Sequence, residues 1–244
     1  MIKFFRKIRY NLMETGKTSK YFKYAIGEIV LVVIGILIAL QINNWNEQQK
    51  EEKQIRNIYA RIVQDFNNSA VEIDSILNKM NTRFPLMQKV ISEDVNRDSL
   101  LTNRDYLIKY LGSSNGYPNI QIHDNGVRML ETKIGINYEL NTEYSEALIL
   151  LYSEYLYEIE VNRADLEFFL KRLSSYKADK GIAPFDLVKN GKSRIADMIF
   201  EDDVYKNHLA AYRSSHISYR NKLEQFKTRG KVLIDNIRSE YNLE

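Results

Sequence analysis

An uninterrupted apolar segment near the N-terminus constrains the fold more than any other part of the chain. Residues 25–42 read AIGEIVLVVIGILIALQI and carry one charged side chain, Glu28. As an α-helix at about 1.5 Å per residue they extend roughly 27 Å, close to the thickness of the hydrocarbon core of a bilayer. Tyr24 and Trp45 stand at the two ends, where aromatic rings anchor a span at the headgroups. The segment therefore predicts a single transmembrane helix.

Two other interpretations of this segment are weaker. A cleaved signal peptide has an apolar core of about 7–15 residues followed by a small-x-small cleavage site. This run ends in Ile-Ala-Leu-Gln-Ile, which offers no such site. A buried helix of a soluble protein rarely combines so long an apolar run with aromatic residues at both ends. A membrane span is therefore preferred over both alternatives.

The distribution of charge predicts the orientation of the span. Residues 1–24 carry a net charge of +6, the span carries −1 and residues 43–244 carry −2. Because basic residues stay on the cytoplasmic side, we expect a cytoplasmic segment 1–24, a transmembrane helix 25–42 and a periplasmic domain 43–244. The absence of cysteine is compatible with an oxidising compartment. The overall charge of +3 is thus a topology signal, and a nucleic-acid partner is not expected.

Two groups of residues in this anchor are candidate contact sites. Basic residues close to the N-terminus are expected at the anionic surface of the inner leaflet, either on a short amphipathic helix or as an ordinary positive flank; they are Lys3, Arg6, Lys7 and Arg9. Within the span, Glu28, Gly35 and Ala39 share one helix face and include a small-xxx-small pattern. They predict a helix–helix contact, with a snorkelling Glu28 and incidental small residues as the alternative.

The N-terminal motifs resemble one known family. FFRKIR over residues 4–9 and YAIGEIVLVVIGILIALQINNWN over residues 24–46 are similar to the opening of an uncharacterised Bacteroidota family of single-pass inner-membrane proteins, a domain of unknown function. The resemblance is close over residues 1 to about 50 and looser beyond. It implies an inner-membrane anchor and a periplasmic helical region, and it brings no activity, cofactor or catalytic residue.

The rest of the chain predicts an all-α fold. Apolar residues recur at helical spacing over 44–80, 141–177 and about 203–240, so we expect an elongated bundle of three long helices with several short ones. No Gly or Pro separates the helix predicted over 44–80 from the span, so the two can form one continuous helix. Pro85 is expected to start a new short helix, and Asp98 to cap another that stops at Gly112.

The last long helix has the clearest heptad pattern. Aromatic and apolar residues alternate at spacings of seven along two series; one series is Tyr205, Tyr212, Tyr219, Phe226 and Leu233, the other Leu209, His216, Leu223, Gly230 and Ile237. The three tyrosines form a possible interaction seam, because tyrosine is common at protein contacts. Packing in the core of the bundle is the alternative interpretation.

No motif in the chain carries catalytic or cofactor chemistry. Gly191-Lys192-Ser193 lacks the upstream glycine of a phosphate-binding loop, since Asp186 stands there. The three histidines form no His-x-x-x-His pair, and no Gly-x-Ser-x-Gly is present. We therefore expect no enzymatic activity, no cofactor, no metal and no catalytic residues.

These observations favour a membrane-anchored periplasmic interaction or scaffold protein. Its partners would be the lipid bilayer and either another membrane or periplasmic protein or a second copy of the chain. The first alternative is a periplasmic sensory or ligand-binding module that signals through a membrane partner. The second is a membrane-anchored hydrolase that uses acids such as Asp124 and Glu131.

Overall fold

The computed structural model describes residues 18–137, 142–182 and 192–243, together with Arg6 and Tyr10. The described residues form α-helices and no strand, which confirms the predicted all-α class with a helical bundle. The chain divides into two compact units, residues 1–57 and 58–244.

The first helix, α1, runs from Thr18 to Ile91 and contains 74 residues. Its apolar window near the N-terminus is long and apolar enough to cross a membrane, and none of that window is buried. Large side chains such as Ile26, Leu31 and Leu37 are each about 60% exposed. An apolar surface of this length needs a non-aqueous environment, so the first unit has the character of a candidate membrane span.

The expected helix start at Pro85 is wrong, because α1 continues through this residue to Ile91. A proline removes one helical hydrogen bond and crowds the carbonyl four residues earlier. Here Pro85 and Asn81 are both exposed, so water can satisfy the freed carbonyl. Phe84 and Met87, on either side, are buried and hold the helix against the core. Packing of the flanking turns therefore outweighs the local cost of the proline.

The second unit adds six helices to the end of α1. They are α2 (Arg97–Thr102), α3 (Arg104–Ser113), α4 (Asn125–Ile136), α5 (Glu143–Asp179), α6 (Lys192–Glu201) and α7 (Asp203–Tyr241). The helices α5 and α7, of 37 and 39 residues, pack along each other as the main helix pair of the unit. The three predicted long helices are therefore present as α1, α5 and α7. The short helix α6 has no counterpart in the sequence-based prediction.

Asparagines, rather than Asp98, cap the helices that follow α1. The Asn96 side chain accepts from the backbone N–H of Ser99 at 2.8 Å and begins α2. Asn103 is extended, and its side chain accepts from the N–H of Tyr106 at 3.0 Å to begin α3. The single predicted helix is thus two short ones, since an amide side chain competes with the helical hydrogen bonds at Asn103. Asp98 lies in the first turn of α2, where its charge favours the helix dipole.

Two glycines permit close approaches to α1. A Cβ at Gly126 of α4 would lie 2.7 Å from the backbone nitrogen of Ile62, and one at Gly230 of α7 would lie 2.2 Å from the Phe66 ring. The backbone N–H of Gly126 also donates to Oδ2 of the buried Asp65 at 2.8 Å. These contacts bring α4 and α7 directly onto the 58–66 segment of α1.

Candidate functional site

The predicted membrane residues lie in the first unit. Gly35, Ala39 and Trp45 are exposed, Glu28 is half-buried, and a Cβ at Gly35 would meet nothing. Arg6 is exposed. Lys3, Lys7 and Arg9 lie outside the described residues, as does the side chain of Tyr24. The predicted helix–helix contact at Glu28, Gly35 and Ala39 stays a prediction.

The tyrosine seam lies in the core of the second unit. Tyr205, Tyr212 and Tyr219 have no exposed surface, so they pack inside the domain as the alternative interpretation had it. The Tyr212 hydroxyl donates to the carbonyl of Gly116 at 2.6 Å, and the Tyr205 and Ser114 hydroxyls lie 3.4 Å apart. Burial raises the pKa of Tyr205 and of Tyr219 to about 12.

Side chains from three long helices make polar contacts with the segment that follows α3. From α1, the guanidinium of Arg83 donates to the carbonyls of Asn115 and Gly116 at 3.1 and 3.2 Å. From α5, the buried Lys177 donates to Asn115 Oδ1 at 2.7 Å, and burial lowers the pKa of this lysine to about 8. From α7, Tyr212 supplies the third contact. Gly116 accepts two of these contacts with φ at +70°, a conformation that favours glycine.

His216 lies beside these polar contacts and is 1% exposed. Its ring meets that of Tyr212 edge-on with centroids 4.5 Å apart and that of Phe84 at 5.9 Å. Neither ring nitrogen has a hydrogen-bond partner among the residues that the structure describes. Burial, with a smaller contribution from the Arg83 charge, lowers the pKa of His216 to about 4, so the imidazole is neutral at physiological pH.

The clearest surface feature of the second unit is an exposed apolar stripe on α5. We define the α5 stripe as Leu150, Tyr157, Val161, Ala164 and Phe168. The exposed fractions of Leu150, Tyr157 and Phe168 are 64%, 73% and 54%. Successive members are seven, four, three and four residues apart, the spacing of a coiled-coil seam, and lie on one side of the helix over roughly 27 Å.

Sequence reasoning assigned α5 a single apolar face and missed this stripe. The buried face includes Leu148, Leu151, Tyr155, Ile159, Leu166 and Leu173, and packs inside the domain. A second set of apolar residues at heptad spacing, offset from the first, was the available signal. A helix with one buried apolar face and a second exposed one has a surface suited to contact with another molecule.

Acidic side chains border the α5 stripe along most of its length. Glu154 is exposed within the seam itself, four residues after Leu150 and three before Tyr157, and Asp165 is exposed on one flank; neither has an ion-pair partner among the described residues. Glu160 lies on the other flank, paired with Arg163. At the C-terminal end, Arg172 lies over the Phe168 ring at 5.7 Å. The stripe is therefore an apolar seam that contains one unpaired carboxylate, Glu154, and is bordered by a second, Asp165.

The two acids named for the hydrolase alternative lie at the start of α4 and within it. Asp124 is paired with Arg128 at 2.7 Å, Glu131 is exposed, and no group of three or more metal-ligating side chains occurs within the described ranges.

The comparisons with known proteins give a family and no activity. The model of a family of unknown function (DUF6090) matches residues 28–205, well over half of the chain. The match begins inside the apolar segment and continues into α7, so the similarity extends far beyond the N-terminal motifs. No curated protein and no solved structure matches the chain.

Proposed function

We propose that this chain, a member of the DUF6090 family of unknown function, is a membrane-anchored interaction protein whose helical domain docks another protein beside the bilayer. The α5 stripe is the observation that carries this proposal. Large apolar side chains at heptad spacing on an exposed helix face can pack against a second helix. Such packing is favourable because it removes their apolar surface from water.

The anchor supports a position in the inner membrane of a bacterium, with the N-terminus in the cytoplasm and the helical domain in the periplasm. The support is the charge of +6 over residues 1–24 against −2 over residues 43–244 and the N-terminal resemblance to Bacteroidota inner-membrane proteins. Bilayer lipid is then the first partner of the chain. Nucleic acid is not a partner under this proposal.

The cysteine-free sequence allows a direct test of this topology. Single-cysteine variants Tyr10→Cys and Ser174→Cys would be labelled in intact spheroplasts with a membrane-impermeant maleimide. We expect labelling of Ser174→Cys alone, and of both variants after lysis. Labelling of Tyr10→Cys in intact spheroplasts would contradict the proposed orientation.

The charges beside the stripe favour a partner protein over a second copy of the chain. Parallel pairing of two stripes would set Glu154 opposite its own counterpart and Glu160 near Asp165 of the other copy. Antiparallel pairing with Tyr157 opposite Val161 would bring Glu154 next to Asp165 of the other copy. Both arrangements place carboxylates together at the seam, which costs free energy. The surface therefore fits an amphipathic helix of another protein that carries basic residues beside its apolar face.

Site-specific crosslinking in cells tests this docking face. A photo-crosslinking residue in place of Tyr157 should yield a discrete adduct with another protein, whereas one at Val232, an exposed apolar position on α7, should not. The same adduct should weaken in the order Glu154→Gln, then Glu154→Lys, because the second change reverses the attraction for a basic partner. Adducts only between copies of the chain, or an adduct indifferent to the charge at 154, would refute the proposal.

A sensory or ligand-binding module is the second candidate function. It is favoured by a cavity of about 310 Å³ beside His216, because ligand sites are concave. Such a module would signal through the same docked partner. We propose no enzymatic role and no cofactor.

A further inference from the structure

The cavity in the second unit lies between α1, α7 and the segment that follows α3. Ile76, Lys79, Met80 and Arg83 line it from α1, Tyr117 from that segment and His216 from α7. Its volume of about 310 Å³ is at the lower end of the range of pockets that bind small molecules. The wall opposite α1 is fixed by the hydrogen bonds of Arg83, Lys177 and Tyr212 to residues 114–116.

Cationic groups dominate the electrostatics of this cavity. Lys79 and Arg83 contribute two positive charges, and no carboxylate belongs to the described lining. Glu167, which accepts from the Tyr117 hydroxyl at 3.3 Å, is itself paired with Lys171 at 2.7 Å. Arg83 makes both carbonyl contacts through Nη1. Its Nε and Nη2 have no hydrogen-bond partner within the described ranges. A planar pair of N–H donors at that spacing matches the two oxygens of a carboxylate.

His216 and the apolar side chains define the rest of the recognition surface. The neutral imidazole offers one donor and one acceptor, both unpartnered among the described residues and held in place by two aromatic rings. Both nitrogens lie beneath the surface of the cavity, so the ring contributes a rigid aromatic part of the wall rather than a hydrogen bond to a ligand. Ile76, Met80 and the ring of Tyr117 supply the apolar contacts.

We propose that this cavity binds a small organic carboxylate with an apolar body, its carboxylate on Arg83 and Lys79 and its body against Ile76 and Met80. The site is independent of the docking proposed for the α5 stripe, which lies on a different helix. Failure of the crosslinking experiment would leave this inference standing, and failure of the binding experiment would leave the docking proposal standing.

Thermal unfolding of the full chain in detergent micelles, with a panel of ligands at millimolar concentration, tests the site. The carboxylates are acetate, butanoate, hexanoate, benzoate and phenylacetate; the comparison compounds are inorganic phosphate and phenylethylamine. We expect at least one of the larger carboxylates to raise the melting temperature by a few degrees, as binding to the folded state requires. Acetate, phosphate and phenylethylamine should not, because they lack either the apolar body or the carboxylate.

Variants assign the binding to the cavity. Lys79 is exposed, so Lys79→Glu should fold and bind the stabilising carboxylate about fivefold more weakly or worse, the effect of losing an ion pair of about 1 kcal/mol. Lys109→Glu makes the same charge change at an exposed site outside the cavity and should leave the affinity unchanged. Asn119→Trp, at the exposed rim, should block binding by filling the entrance.

Three results would overturn the proposal. The first is no stabilisation by any of the five carboxylates. The second is equal stabilisation by inorganic phosphate or phenylethylamine, which would show that the apolar body and the carboxylate are not recognised together. The third is an affinity that Lys79→Glu and Lys109→Glu lower to the same extent, which would point to a general effect of charge rather than to this cavity.

Discussion

Substitution of Gly126 by alanine tests how α4 is held on α1. A Cβ at this position would lie 2.7 Å from the backbone nitrogen of Ile62 and 2.9 Å from its Cα. Carbon atoms in normal contact are about 3.5–4.0 Å apart, so α4 must move away by roughly 1 Å. Backbone atoms cannot rotate aside as the end of a side chain can. The same movement stretches the 2.8 Å hydrogen bond from Gly126 to the buried carboxylate of Asp65.

The magnitude follows from these two effects. Overpacking a core contact costs about 1–3 kcal/mol, and a weakened hydrogen bond to a buried charged group costs about 1.5–3 kcal/mol. The higher helix propensity of alanine returns at most about 1 kcal/mol. We therefore expect Gly126→Ala to lower the free energy of unfolding by about 2–4 kcal/mol. For a unit of this size that lowers the melting temperature by about 5–15 °C.

Thermal unfolding followed by far-ultraviolet circular dichroism, on the full chain in detergent, measures this change. Gly135→Ala is the matched control, because it lies in the same helix, is exposed, and its Cβ would meet nothing. We expect the control to leave the melting temperature unchanged or slightly raised. Equal melting temperatures for the two variants would refute the claim that backbone contact between α4 and α1 stabilises the domain.

Four further substitutions test the polar core. Tyr212→Phe should lower the free energy of unfolding in urea by about 1–2 kcal/mol, because it removes the 2.6 Å hydrogen bond to Gly116. The Tyr219 hydroxyl has no partner among the described residues, so Tyr219→Phe should leave the free energy of unfolding unchanged or raise it. With a folded-state pKa of about 8 against about 10.4 unfolded, Lys177 binds fewer protons when folded, so stability should rise by about 1–2 kcal/mol from pH 7.5 to 9.5 relative to Lys177→Met. His216, with a pKa of about 4 against about 6.5 unfolded, should lower stability by about 2 kcal/mol between pH 7 and pH 5, and His216→Leu should lose that decrease. If Lys177→Met or His216→Leu showed the same dependence of stability on pH as the natural protein, the titration argument for that residue would be contradicted.

The long helices were predictable because their apolar residues repeat over many turns. The final helix was expected at about 203–240 and spans Asp203–Tyr241. The series from Leu209 to Ile237 is buried throughout, whereas the series from Tyr205 is buried as far as Phe226 and then shifts, because Ile234 is buried and Leu233 is only half-buried. An α-helix has 3.6 residues per turn rather than 3.5, so a straight seam drifts by about 20° per heptad and moves to the neighbouring residue. A fixed period of seven therefore predicts one of the two series to its end and the other as far as Phe226.

Local signals failed where tertiary packing or competing caps decide the outcome. Pro85 was a sound signal for a new helix start in isolation, but the buried Phe84 and Met87 keep the long helix intact. Asp98 and Asn103 are both good cap residues, and only the backbone conformation of Asn103 shows that one predicted helix is two. The second apolar face of α5 was visible in the spacing of its residues. Its exposure depends on which face the other helices cover, and that is a property of the assembled domain.

The cavity beside His216 was beyond sequence reasoning for a related reason. Arg83, Lys177 and Tyr212 belong to three different helices, and each directs a polar group to the short segment after α3. In the sequence, Arg83 resembles a solvated charge and Lys177 the basic end of a helix. Only their convergence turns that segment into a fixed wall and leaves His216 and the remaining donors of Arg83 facing no protein partner within the described ranges. Because the wall depends on these three bonds, Lys177→Met should weaken carboxylate binding without altering any residue that lines the cavity.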